Sequence, residues 1–86
     1  MQVTWKPVRE PGDVVRAKLP ESAFAFPKER KEPLTDSAHV ESAIARFGQV
    51  RGVSEAERAQ AFANIKAAAG YYGVTVNASS WHDLVA

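Results

Sequence analysis

Two helix-length apolar patterns, separated by one short connection punctuated by glycine, constrain this chain more than anything else in it. Val40, Ala43, Ile44 and Phe47 recur at i, i+3, i+4 and i+7, the spacing that stacks side chains on one face of a 3.6-residue helix. Thr35, Asp36 and Ser37 precede the run, and each carries an oxygen able to accept from the orphan N–H groups of a helix start. The cap is Thr35 or Asp36, and either choice places negative charge at the positive end of the helix dipole. Arg46 and Arg51 lie toward the other end, where a cation is favoured. Gly48 and Gly52 then interrupt the pattern.

The second helix announces its start more sharply. Ser54 and Glu57 have the spacing of a capping box, in which each side chain satisfies the other residue's backbone N–H. Ala59, Phe62, Ala63, Ile65, Ala68 and Ala69 follow as an apolar stripe, leaving Glu57, Arg58, Gln60, Asn64 and Lys66 for water. Gly73, rather than Gly70, is expected to end the helix in the left-handed conformation. Each large side chain buried between the two helices contributes about 1.5–3 kcal/mol as an upper figure. A lone pair of helices leaves much of that surface wet, so the rest of the chain has to cover it.

The flanking residues suggest how. Pro7, Pro11 and Gly12 break the first eighteen residues into short extended pieces, with Trp5 expected over one edge of the core. Phe24 and Phe26 stand between Pro20 and Pro27 and are expected to lie against the helices. Residues 28–33 mix charges and read as a solvated connector. Beyond the second helix, Val74, Thr75 and Val76 form a β-prone piece, and Ser80 with Asp83 again has capping-box spacing, so a terminal helical turn should carry Trp81 and Leu84 inward. The expected architecture is mainly α. It is a helical hairpin (about residues 36–49 and 55–72) covered by an extended N-terminal arm, with a short C-terminal helical turn. Residues 1–18 are read as an extended or partly disordered arm and residues 19–86 as a single small helical domain.

Composition limits the function classes. The 86 residues suit one domain with a marginal core. The absence of cysteine excludes a disulfide framework and thiolate metal sites and agrees with a reducing compartment. No apolar run approaches the roughly 20 residues of a membrane span, and the first residues lack the apolar stretch of a secretory signal. A cytoplasmic protein with no membrane partner is expected. Eleven basic residues oppose ten acidic ones for a net charge of +1, too even a balance to draw the whole protein onto a polyanion.

Candidate chemistry is sparse. His39 lies close to Ser37 and Asp36, but a catalytic triad needs convergent geometry that local order does not supply. A histidine associated with the helix cap, or satisfied by a backbone carbonyl or by residues 28–34, is the better reading. Two histidines and no cysteine make a metal site a poor expectation. Asn77-Ala78-Ser79 matches a glycosylation acceptor but reads as a turn, and no glycine-rich phosphate loop is present. The six-residue connection is longer than a DNA-reading helix-turn-helix uses, and Glu55 and Glu57 would point carboxylates at the nucleic acid. Neither a cofactor nor an enzymatic activity is expected.

The segment Leu19-Pro20-Glu21-Ser22-Ala23-Phe24-Ala25-Phe26-Pro27, followed by Arg30, Pro33, Leu34, Asp36, Ala38, His39 and Ala43-Ile44-Ala45-Arg46-Phe47, resembles a small uncharacterised family of bacterial and phage proteins. That family has an LPxSAFAxP opening motif and a DxxHxxxAxAR helix, and its members occur alone or appended to phage head-maturation proteases. The resemblance runs from about Lys18 to Trp81. It implies that the opening motif and the histidine-bearing helix form one unit and that the role is accessory. No protease portion accompanies these residues, so proteolysis is not implied.

The expected function is therefore that of a non-enzymatic protein-interaction or adaptor module, phage-related as the resemblance implies, whose partner is another protein or a second copy of the chain. The Ala-rich face of the second helix and the Phe24/Phe26 segment are the candidate docking faces. The disfavoured alternative is a weak nucleic-acid-binding protein using a basic loop and helix edge. Lys28, Arg30, Lys31, Arg46 and Arg51 are the candidate partner-binding residues.

Overall fold

Pro20 enters a single 3-10 turn, Glu21–Ala23, closed by the Ala23 N–H donating to the Pro20 carbonyl at 2.9 Å. The chain then extends as β1, Phe24–Phe26, with all three residues buried. It turns through residues 27–30 and returns as β2, Lys31–Pro33. The two strands are antiparallel, with Phe24 opposite Pro33 and Phe26 opposite Lys31. The Leu34 N–H donates to the Ala23 carbonyl at 2.8 Å just beyond the ladder. This computed structural model describes residues 3–7 and 19–85.

The sheet overturns the expected helical hairpin under an N-terminal arm, because the fold is a small mixed one in which two helices pack with a two-stranded antiparallel sheet. What was read as a solvated connector is half a β-hairpin. Arg30 takes φ 54° and Glu32 φ 56°, left-handed conformations more often given to glycine. Arg30 closes the turn that brings the charged segment back onto β1, whereas Glu32 lies within β2 itself. Phe24 and Phe26 also part company. Phe26 joins the main core, tilted against Phe47 at 5.8 Å between ring centroids, whereas Phe24 packs with Leu19 and Ala23 in a satellite cluster.

The first helix, α1, spans Ser37–Arg46. Asp36 is its cap, with Oδ1 accepting from the His39 N–H at 2.8 Å. Val40 and Ala43 are buried, Ile44 is half-buried, and Phe47 is buried in the 3-10 turn Phe47–Gln49 that follows. The second helix, α2, spans Glu55–Tyr72 behind a complete capping box. Gly73, at φ 74°, ends it, and the Val74 N–H reaches back to the Ala69 carbonyl at 2.8 Å. Ala61, Phe62, Ile65, Ala68 and Ala69 are buried, with α1 and β1 both packed on this helix.

Asn64 departs from its expected place in water. It lies at i+3 from Ala61 and i−4 from Ala68, on the buried face, and its side chain is fully enclosed. Its amide is saturated. Oδ1 accepts from the Thr4 N–H at 2.8 Å and the Trp5 N–H at 3.0 Å, and Nδ2 donates to the Ala25 carbonyl and to Thr4 Oγ1, both at 3.0 Å. One side chain thus ties the N-terminal segment, β1 and α2 together. Trp5 completes the join, buried in the core with Nε1 donating to the Leu34 carbonyl at 3.0 Å, while the Lys6 N–H donates to the Ser22 carbonyl at 2.9 Å. The readings made for residues 8–18 lie outside the described residues.

Residues 74–78 run back along the core without joining a strand. The 3-10 turn Trp81–Leu84 places Trp81 and Leu84 against the core, and Asp83 Oδ2 accepts from the Ser79 N–H and hydroxyl at 2.9 and 3.0 Å.

Candidate functional site

The connection between α1 and α2 is held from two sides. Arg58 Nη2 donates to the Val50 carbonyl at 3.1 Å, and Lys31 Nζ donates to the Arg51 carbonyl at 2.9 Å. Carbonyls that a loop would otherwise offer to water are thereby satisfied by cations. The pinned loop, the last turn of α1 and β2 enclose an open groove of about 300 Å³ lined by Lys31, Glu32, Arg46, Gln49, Val50 and Arg51. Arg46 and Arg51 are exposed, Val50 is buried beneath them, and among the described residues no ion pair neutralises either arginine. Arg46 also sits at the negative end of α1, which favours its charge there.

Three of the five basic residues singled out from the sequence, Lys31, Arg46 and Arg51, are therefore brought together. The other two are not. Arg30 is turned away, its Nη2 donating to the Leu19 carbonyl at 2.7 Å and its guanidinium lying 4.8 Å from the Phe24 ring centre. Lys28 contributes instead to the field at Glu29 and Glu57. These two carboxyls share a hydrogen bond that raises the pKa of Glu29 and lowers that of Glu57. Glu32, Gln49 and Val50 were missed. Their only sequence signal was adjacency to the basic residues, and no rule for strands marks Lys-Glu-Pro as one.

The docking faces expected on the Ala-rich helix and the Phe24/Phe26 segment are consumed internally, since Phe24, Phe26, Ala61, Ala68 and Ala69 are buried in the monomer. Aromatic surface survives at the end of α2, where Tyr71 is 63% exposed and stands edge-on to Trp5 at 5.7 Å. A second open cleft, of about 350 Å³, lies between Ile44 and residues 75–78, 83 and 84.

His39 proves to be a cap companion, but its partner is Asp36 rather than a carbonyl or residues 28–34. Nδ1 lies 2.8 Å from Asp36 Oδ1, and both side chains are about half exposed, at 49% and 48%. The backbone N–H of His39 is the main cause holding the Asp36 carboxyl below its ordinary range. Asp83 is lowered in the same way by the Ser79 N–H. Burial raises the Tyr72 phenol. These shifts belong to caps and packing and assemble no nucleophile, base and acid. Among the described residues no three His, Asp or Glu side chains are placed to hold a metal ion, and no helix is long and apolar enough to cross a membrane.

No curated protein and no solved structure matches the chain. Residues 8–79, which include both helices, the hairpin and the whole groove, match a family of unknown function, DUF6582, and the chain belongs to that family.

Proposed function

We propose that the chain is a non-enzymatic protein-interaction module acting in the cytoplasm, and that its groove receives an acidic segment of a partner polypeptide. The convergence of Lys31, Arg46 and Arg51 from a strand, a helix and a pinned loop onto one concavity carries this reading. The backbone of three separate elements sets where these cations start, and Lys31 is held by the Arg51 carbonyl, so less freedom is lost on binding than by cations on a loose loop. The buried Val50 gives the groove an apolar floor on which a peptide's aliphatic atoms can rest. The motif resemblance, to a family whose members occur alone or appended to phage head-maturation proteases, supports an accessory role.

The experiment is a fluorescence titration of the full chain with a labelled oligoglutamate peptide and, separately, with a labelled oligothymidylate, at low and physiological salt. Saturable peptide binding that weakens on changing Lys31, Arg46 and Arg51 together to Gln, with an unchanged melting curve, is expected. Tighter binding of the oligothymidylate, lost in the same variant and falling steeply with salt, would replace the adaptor reading with nucleic-acid binding. No saturable binding of either probe would remove the groove from consideration.

A further inference from the structure

We infer that Glu32 is the specificity-determining residue of the groove, selecting a net-acidic polypeptide segment that carries one basic side chain over an unbroken polyanion; this rests on the acidic-segment reading above. Two independent observations meet at this residue. The first is conformational. Glu32 sits inside β2 at φ 56°, and among the described residues only Arg30 shares a positive φ without being glycine. A left-handed glutamate crowds its Cβ against the backbone, and unlike Asn or Asp it has no short side chain to bond locally in compensation. Among the described residues its carboxylate makes no hydrogen bond or ion pair. Arg30, the other left-handed residue, is tied into the fold through the Leu19 carbonyl and the Phe24 ring, and no comparable packing accounts for Glu32.

The second observation is placement. Glu32 belongs to the lining of the groove whose other charged residues are Lys31, Arg46 and Arg51. The lining is thus three cations and one anion, and its complement is a set of carboxylates with a single cation among them. A phosphate backbone repeats negative charge without a break and has to set one phosphate against Glu32. A peptide places a lysine or arginine there. Strained backbone that persists at a binding surface is where a functional side chain is commonly held, and negative charge inside a basic groove rejects the wrong partner as well as attracting the right one.

The test uses the full chain, its Glu32→Gln and Glu32→Gly variants, and three labelled probes: an oligoglutamate, the same peptide with one central arginine, and an oligothymidylate of equal charge. The wild-type chain should bind the arginine-containing peptide about tenfold more tightly than either other probe. E32Q should lose that ranking, weakening for the arginine-containing peptide and tightening for the other two. E32G should do the same while melting at a higher temperature than E32Q, because glycine relieves the left-handed strain. Saturable binding of both peptides with no preference in the wild-type chain, or a preference that survives in E32Q, overturns the role of Glu32 and leaves the docking groove standing. Failure of every probe to bind a folded wild-type chain overturns both.

Discussion

The amide of Asn64 offers the sharpest perturbation of the fold. In Asn64→Ala the Thr4 and Trp5 N–H groups lose their acceptor and the Ala25 carbonyl loses its side-chain donor. Thr4 is half-buried and recovers water, but the Trp5 and Ala25 groups are buried. Leaving the Trp5 N–H unsatisfied costs about 1–3 kcal/mol, and the bond lost at the Ala25 carbonyl adds about 1 kcal/mol, roughly 2–4 kcal/mol together. The chain has an escape, which is to lift residues 3–7 off the core and hydrate those groups. That route sacrifices the burial of Trp5, worth about 1.5–3 kcal/mol as a large apolar side chain, together with its hydrogen bond to Leu34, worth about 1 kcal/mol. The two routes cost nearly the same, so the expected loss is about 2–4 kcal/mol, with the indole exposed in the undocked fraction. Urea denaturation measures the first, and the emission maximum of Trp5 in a Trp81→Phe background measures the second. A loss below about 0.5 kcal/mol, the range of neutral surface changes, or an unshifted emission maximum, would show that Asn64 does not fasten the N-terminal segment.

Other perturbations follow from the same contacts. Phe47→Ala empties a fully buried site and should cost about 3–5 kcal/mol in urea denaturation, a large part of the stability of so small a domain. Gly70 and Gly73 should respond in opposite directions in thermal melting. An alanine at Gly70 meets nothing within 4 Å and gains about 1 kcal/mol of helix propensity, whereas one at Gly73, at φ 74°, is strained by about 1 kcal/mol. The lowered Asp36 pKa means that the carboxylate's contribution is present above its unfolded pKa and is lost as pH falls through the folded one. Asp36→Asn should therefore flatten the acid limb of a stability–pH profile, and Asp36→Ala should remove about 1 kcal/mol of capping at neutral pH.

What was legible in the sequence followed the strength of local chemistry. Ser54 with Glu57 at one end and Gly73 at the other bracket α2, because a capping box and a left-handed terminator are written in neighbouring residues. The hairpin was illegible for the converse reason. Lys31, Glu32 and Pro33 have little intrinsic preference for a strand, and Arg30 occupies a conformation that its side chain does not advertise. Asn64 was misplaced by its polarity, although its spacing from Ala61, Ile65 and Ala68 already set it among buried positions. In the groove, Arg46 and Arg51 were visible as charges near a helix end. Their meeting with Lys31 depends on the turn of β2, which nothing local encodes.

The fastening of Thr4 and Trp5 onto Asn64 spans 60 and 59 positions along the chain. During synthesis Thr4 and Trp5 emerge well before Asn64 does and have no seat until it follows, with the indole of Trp5 uncovered throughout that interval. Closure of such distant contacts is slow relative to helix formation, so α1 and α2 are expected to form before the segment around Trp5 is tucked in.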